Sequence, residues 1–247
     1  MNKLTAFLAD EQQSHRKGGL YHKTQVQLAY NSNRIEGSKL TEEQTRYIFE
    51  TRMIGFKDQD AVPVDDIIET SNHFIAFDYL LNTIGQALSN DIIKEFHRIL
   101  KTGTADAQKA YFKIGDWKSL ANEVGERETC RPADVAEKMQ ALSRWYAAQK
   151  EITIRILAEY HWRFECIHPF QDGNGRVGRL ILFRECLRHD IMPFVIDNKH
   201  KMYYYRGLSE FKNTPGFLIG TMQSAQDTYN AWIKYFNEEL SEGLKLE

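Results

Sequence analysis

The amino-acid sequence predicts an all-α fold. Apolar residues recur every three to four positions through most of the chain, the spacing that places them on one face of a helix. Stretches in which apolar and polar residues alternate, the pattern typical of half-buried strands, are almost absent. A hydrophobic fraction of 42% in 247 residues is enough for at least one full core. We therefore expect a helical bundle around a shared interior.

The predicted helices begin after a glycine pair at residues 18–19. The first runs to Ile35, and Gly37 ends it because glycine readily adopts the left-handed conformation. Thr41 and Gln44 have the spacing of a capping box for the next helix. Two further helices are expected over 65–82 and 90–101, with apolar stripes made of Ile67, Phe74 and Ile75 in one and Ile92, Ile93, Phe96 and Leu100 in the other.

The segment 102–131 interrupts the helical pattern. Gly103, Gly115 and Gly125 break it into short pieces. We expect a short β-hairpin at residues 117–124 and interpret the segment as a mobile flap.

Helical spacing returns after this segment. Pro132 suits the first turn of a helix that carries Val135, Met139, Leu142 and Trp145. A helix with Ile152, Ile156, Tyr160, Phe164 and Ile167 ends before Pro169, which fixes the backbone and lacks a donor. The remaining helices are expected from about Gly175 to His189, over 201–212 and over 216–240.

Charge and composition narrow the class of protein. A formal net charge of −2 gives no electrostatic reason to expect a nucleic-acid or membrane partner. The N-terminus lacks the long apolar run of a signal peptide, so we expect a cytoplasmic protein. Cys130, Cys166 and Cys186 form no CxxC pair, and we interpret them as unpaired apolar residues rather than a disulfide framework or a metal site.

One stretch between two predicted helices combines residue types that suit phosphate binding. Gly173 and Gly175 flank Asn174, so the backbone can turn successive N–H groups inward as an anion nest at a helix N-terminus. Arg176 and Arg179 are three residues apart and lie on one side of the following helix. Their guanidinium groups can grip phosphate oxygens.

Two more side chains of this stretch can carry chemistry. Asp172 offers a hard carboxylate for Mg²⁺, and His168 can accept a proton near neutral pH. Taken singly, a histidine, a Gly-Asn-Gly turn or two helical arginines usually has only a structural role. Together, within residues 168–179, they indicate a site that binds phosphate and moves a proton.

Residues 168–179, HPFQDGNGRVGR, resemble the active-site signature of the Fic family, HPFx(D/E)GNGRxxR, and match it without a gap. The resemblance implies an all-helical Fic core that transfers AMP from ATP to a protein hydroxyl group. It implies His168 as the general base, Asp172 as the metal ligand and Phe170 as an anchor in the core. It assigns the nucleotide to Gly173, Asn174 and Gly175 near the α- and β-phosphates and to Arg176 and Arg179 near the β- and γ-phosphates.

The resemblance extends over roughly residues 20–235. Residues 115–117 and 131–145 resemble the family's flap and the helix after it. Residues 202–205 resemble the segment that covers the adenine, which makes Tyr205 the expected base-contacting ring. We expect N-terminal helices over residues 1–60 and a catalytic core over 61–247, with the hairpin flap beside the active-site loop.

A second motif lies N-terminal to this core. Residues 32–37, SNRIEG, match the family's inhibitory pattern (S/T)xxxE(G/N). Ser32 and Glu36 are four residues apart and therefore share one helix face. If Glu36 pairs with Arg179, that arginine is withdrawn from the γ-phosphate and ATP binds out of line for attack. The motif thus implies an autoinhibited enzyme.

These observations predict a protein adenylyltransferase that uses Mg²⁺–ATP and modifies a Ser, Thr or Tyr hydroxyl of a target protein or of itself. Its oligomeric state stays open. One alternative is the reverse reaction, in which Glu36 orients water to remove AMP. Another is transfer from a different phosphate-containing donor, against which Gly175 argues because the phosphate-transferring branch carries a lysine there. The last alternative is a catalytically idle Fic fold that acts as a binding module.

Overall fold

The computed structural model describes residues 2–54, 61–125, 127–241 and 244–246. Within these ranges the chain forms ten α-helices and one short hairpin, which confirms the predicted all-α class. The helices are α1 (Lys3–Gln13), α2 (Leu20–Ile35), α3 (Glu42–Thr51), α4 (Val64–Thr83), α5 (Asn90–Lys101), α6 (Val135–Ala147), α7 (Ile154–Ile167), α8 (Asn174–Arg188), α9 (Lys201–Ser209) and α10 (Gly216–Phe236).

The N-terminal helices follow the predicted capping signals, with one addition. Gly37 has a φ of +102° just after α2, and the side chains of Thr41 and Gln44 form the capping box of α3. Helix α1 has no counterpart among the predicted helices. Asn2 caps this helix by accepting a hydrogen bond from the backbone N–H of Thr5 at 2.7 Å. Its apolar face is buried in the main core.

Helices α2, α4 and α8 meet in a continuous hydrophobic core. The ring of Phe77 on α4 contacts Tyr21 on α2 and Phe183 on α8, with centroids 6.0 and 5.4 Å away. Ile75 was predicted to face this core, but it is 47% exposed, because the buried stripe of α4 runs through Phe74 and Phe77 instead. The predicted domain boundary at residue 60 falls in 55–60, outside the described residues.

The hairpin lies C-terminal to its predicted position. Strand β1 (Glu123–Val124) pairs with β2 (Arg127–Glu128), and Gly125 provides the positive φ of the turn. The prediction of a hairpin within 117–124 was wrong because this stretch directs its hydrogen bonds elsewhere. The backbone N–H of Lys118 donates to the carbonyl of Pro169 at 2.8 Å, in the loop between α7 and α8. The segment that was interpreted as a mobile flap is therefore tied to that loop.

Candidate active site

The loop 168–173 connects α7 to α8 and brings the predicted site residues together. His168 ends α7 with a φ of +51°, and Gly173 precedes α8 with a φ of +82°. A left-handed histidine is uncommon, so surrounding contacts must hold it. The side chain of Asn174 makes two hydrogen bonds to the loop at Phe170. Its Oδ1 accepts from the backbone N–H of Phe170 at 2.8 Å, and its Nδ2 donates to the Phe170 carbonyl at 2.9 Å. Asn174 thereby fixes the curvature of the loop from within.

Phe170 anchors the middle of the loop, as the sequence predicted. Its side chain is fully buried and stacks on the ring of His97, with the centroids 4.0 Å apart and the planes 10° apart. His97 in turn accepts a hydrogen bond at Nδ1 from the backbone N–H of Gly115 at 2.9 Å. The stack of Phe170 on His97 therefore connects the loop 168–173 to α5 and, through the hydrogen bond of His97, to Gly115 in the segment 102–131.

A cluster of charged side chains lies beneath the loop. Asp172 Oδ2 accepts from Lys101 Nζ at 2.7 Å and from Arg176 Nη2 at 3.0 Å. Glu69 on α4 forms ion pairs with the same two cations, at 2.6 Å from Lys101 Nζ. Burial alone would raise the pKa of Asp172, but the charges of Arg176 and Lys101 hold that pKa well below its usual range. Asp172 is therefore a carboxylate at neutral pH.

Asp172 fits the predicted role of a Mg²⁺ ligand. Its side chain is 48% exposed although its cationic partners are buried, so the carboxylate can be reached from solvent. A hard, ionised oxygen donor is what Mg²⁺ prefers, and the ion is commonly held by one or two carboxylates together with substrate phosphates. The donor present at this loop therefore suits that mode of binding.

Arg179 is buried against the C-terminal end of α2. Its Nε donates to Ser32 Oγ at 2.9 Å, and its Nη2 donates to the Ser32 carbonyl at 2.9 Å and to Glu36 Oε1 at 2.7 Å. Burial lowers the pKa of Arg179, but Glu36, Tyr204 and Glu165 together outweigh this effect and raise it above the usual value. The guanidinium thus keeps its charge in the interior, and both predicted inhibitory residues contact it.

The Glu36 carboxylate also lies directly on the first turn of α8. A Cβ atom built on Gly175 would be 2.2 Å from Glu36 Oε1, which no real side chain tolerates. Because the N-terminal turn of a helix attracts anions, the carboxylate occupies a position that suits a phosphate group. Gly175 is what permits this close approach.

His168 points its Nδ1 atom toward Glu165 on the preceding turn of α7, at 3.5 Å from Oε2. Its side chain is 17% exposed. The other predicted ligand-contacting ring, Tyr205 on α9, is partly exposed, and its hydroxyl donates to the Ile35 carbonyl at 3.1 Å. Tyr205 therefore lies beside the end of α2 that carries Glu36.

Three residues of this region were missed by the sequence analysis: Lys101, Glu69 and Glu165. Lys101 on α5 pairs with Asp172 across 71 positions of sequence, and Glu69 on α4 pairs with Arg176 across 107, so no local spacing predicts either contact. Glu165 had a usable signal, since an acidic residue three positions before a histidine on a helix shares its face.

Comparisons with known proteins find relatives of this chain. The Fic/DOC family model matches residues 87–185, which include the whole loop. A protein adenylyltransferase Fic of Nematostella vectensis is 29% identical over 220 residues, covering 84% of this chain and 48% of that protein. Its counterpart in Drosophila melanogaster is 30% identical over 188 residues, covering 74% and 36%. The chain thus spans less than half the length of these curated relatives.

Solved structures agree on the fold. A Fic-domain-containing signaling protein of Bacteroides thetaiotaomicron superposes with a TM-score of 0.69 at 21% identity, covering 98% of this chain and 94% of that one. Fic-1 of C. elegans gives a TM-score of 0.69 at 20% identity, covering 94% and 72%. Across the described ranges, none of the helices is both long and apolar enough to cross a membrane. With the motif, the helical fold and the family match in agreement, the chain belongs to the Fic/DOC family.

Proposed function

We propose that this chain transfers AMP from ATP to a Ser, Thr or Tyr hydroxyl of a protein, and that Glu36 inhibits the transfer. The observation that carries the proposal is the ion pair of Arg179 with Glu36 at the N-terminus of α8. A buried arginine beside a helix N-terminus forms a site for an anion, and here the Glu36 carboxylate fills it. The names of the curated relatives, protein adenylyltransferase, support AMP as the transferred group.

The residues of the loop have distinct tasks in this reaction. His168 takes the proton of the target hydroxyl, whose oxygen forms a bond to the α-phosphorus of ATP. The bond from that phosphorus to the bridging oxygen breaks, and pyrophosphate leaves. Arg179 stabilises the charge that develops on the leaving group, and Arg176 adds to this field from its position beside Asp172. A Mg²⁺ ion held by Asp172 would neutralise phosphate charge.

Inhibition follows from competition for Arg179. Its Nη2 donates to Glu36 and to the Ser32 carbonyl. In this state Nη2 is therefore not available to donate to the γ-phosphate. A γ-phosphate bound to Arg179 would lie against the Glu36 carboxylate, and because two anions repel each other, Glu36 would have to move away. The enzyme is therefore expected to be slow until Glu36 is removed or displaced.

Mass spectrometry of a cell lysate tests the proposal. The Glu36→Gly variant is incubated with lysate, Mg²⁺ and ATP, and peptides are searched for the added mass of AMP, on other proteins and on the chain itself. We expect AMP-bearing peptides that are absent when the variant also carries His168→Ala. A search that finds no such peptides in either sample, with ATP binding intact, would rule out this function.

A second activity, removal of AMP from a modified protein, is favoured by one observation. The Glu36 side chain is 32% exposed although it pairs with a buried arginine, so one carboxylate can contact both the site and solvent water. A water oriented by this carboxylate could attack the phosphodiester. Release of AMP from an AMP-modified protein by the parent, and not by Glu36→Gly, would establish this activity.

A further inference from the structure

The residue behind the proposed base is a buried carboxylate. Glu165 lies one turn before His168 on α7, its side chain is only 10% exposed, and its Oε2 is 3.5 Å from His168 Nδ1. An ionised carboxylate is expensive to bury unless cations or donors face it. The histidine is therefore part of what makes this burial tolerable.

The Nδ1 atom of His168 depends on the same contact. It is buried and has no hydrogen-bond partner among the described residues, and the carboxylate oxygen Oε2 of Glu165 lies 3.5 Å from it. A neutral imidazole carries its proton on one nitrogen and a lone pair on the other. A proton on Nδ1 would face the carboxylate favourably, whereas a lone pair there would face a negative charge.

We propose that Glu165 is a positioning residue that holds His168 with its proton on Nδ1, so that Nε2 presents a lone pair to the target hydroxyl. The inference rests on the proposed function for its catalytic meaning. It is the arrangement in which a carboxylate fixes the tautomer of a histidine base and stabilises the imidazolium formed when the base takes a proton.

The charges around Glu165 keep it ionised. Burial raises its pKa, but the contact with His168 and the nearby positive charge of Arg179 on α8 lower it below the usual value. Two further groups face it from α7 and α9. Burial lowers the pKa of His161 to about 4, so this ring is neutral, and its Nε2 lies 2.6 Å from the Tyr204 hydroxyl. Tyr205 on α9 also lies within reach of the Glu165 charge.

The packing of α8 keeps this carboxylate in place. A Cβ atom on Gly178 would lie 2.6 Å from His161 Cε1 and 3.0 Å from Glu165 Oε1. A glycine is therefore required at this turn for α8 to approach the two side chains so closely. Glu165 thus packs directly against Gly178, and there is space for its carboxylate because α8 lacks a side chain at this position.

The tautomer of His168 can be measured without any turnover. In ¹⁵N-labelled protein, long-range ¹H–¹⁵N correlations report which ring nitrogen of a neutral histidine carries the proton, and a His168→Gln sample identifies the signals of this residue. We expect the Nδ1–H form in the parent. The Nε2–H form in the folded parent would overturn the proposal, and this result would hold even if no substrate were ever found.

Activity gives a second readout. In the Glu36→Gly background, Glu165→Gln should lower kcat for AMP transfer by about tenfold to a hundredfold, a part of what a general base contributes. Its KM for ATP should change little. The acidic limb of the pH–rate profile should move to lower pH, by up to about one unit, because a negative charge beside the base is lost.

A matched control lies on the same helix. Glu159→Gln removes the partner of Arg163, at 2.6 Å, in a more exposed position of α7. It should leave kcat and the pH profile unchanged, which separates positioning from general weakening of the helix. If Glu165→Gln folds and transfers AMP with the parent's kcat and pH profile, Glu165 does not position the base. If all samples lack transfer, the proposed function fails while the tautomer still decides this inference.

Discussion

At the scale of single residues, Arg179 is the point where the two motifs meet. It lies in the second turn of α8, and three of its hydrogen bonds go to Ser32 and Glu36 at the C-terminal end of α2. Each motif alone has a plain structural explanation. Their contact across 143 positions of sequence joins the two motifs, and in the proposed function the buried charge that binds ATP also binds the inhibitory carboxylate.

This contact should stabilise the fold at the expense of nucleotide binding. Glu36→Gln removes the charge that faces a buried guanidinium, and we expect a loss of about 1–3 kcal/mol in the free energy of unfolding, limited because Ser32 remains a partner. Mg²⁺–ATP should then raise the melting temperature of the variant more than that of the parent, since a ligand that binds only the folded state stabilises it by mass action. Thermal unfolding with and without nucleotide checks both parts. An equal shift in the two proteins would contradict the competition.

At the scale of helices, glycines decide how closely α8 packs. Gly178→Ala would push a methyl group into His161 and Glu165, so we expect a loss of about 1–3 kcal/mol from overpacking together with reduced AMP transfer.

Gly220→Ala is the matched control within α10. No atom lies within 4 Å of the added Cβ, and the residue is inside a helix, so alanine should stabilise the protein by about 0.5–1 kcal/mol. Urea unfolding of both variants compares the two sites. Equal effects in the two helices would mean that the close contact at Gly178 is not what matters there.

The predicted elements show where sequence patterns suffice. The bounds of α2, α4 and α5 match their prediction within a residue or two, because capping residues and apolar stripes are local signals. The hairpin was misplaced because Lys118, within its predicted range, donates to the carbonyl of Pro169 in the loop, a partner that no local pattern contains. Helix α1 was missed although Leu4 and Leu8 share one face and Asn2 is a good cap, so that signal was available.

In the candidate site, too, local features could be predicted from the sequence and long-range contacts could not. The motif residues 168–179 are consecutive, and their grouping could be predicted from the sequence alone. The cations and carboxylates that support them could not, because Lys101 and Glu69 arrive from separate helices. What depends on packing over long distances in sequence became visible only in the structure.

At the scale of the whole molecule, three histidines are buried as neutral rings. Burial lowers the pKa of His73 and of His97 to about 3, and that of His161 to about 4, against an ordinary value of 6.5. Desolvation is the main cause in each, and nearby cations such as Arg179 add to it for His73. The folded state therefore resists protonation that the unfolded chain accepts.

Stability should consequently fall as the pH falls from about 6.5 toward 4. In this window the unfolded chain binds up to three more protons than the folded protein, and each contributes about 1.4 kcal/mol per pH unit, so the slope is at most about 4 kcal/mol per unit. Urea unfolding at pH 7, 6 and 5 measures it. The exposed His200 serves as control, because His200→Gln should leave the slope unchanged. A flat profile between pH 7 and 5 would contradict the burial of neutral histidines.

The central claim is that His168 and the nucleotide-binding loop transfer AMP once Glu36 no longer occupies Arg179. The most direct measurement compares label transfer from ATP carrying ³²P at the α-phosphate and at the γ-phosphate, in Glu36→Gly and in Glu36→Gly with His168→Ala. We predict that protein acquires the α-label with Glu36→Gly, that it does not acquire the γ-label, and that His168→Ala abolishes the transfer. Transfer of the γ-label, or α-label transfer that persists without His168, would contradict the account.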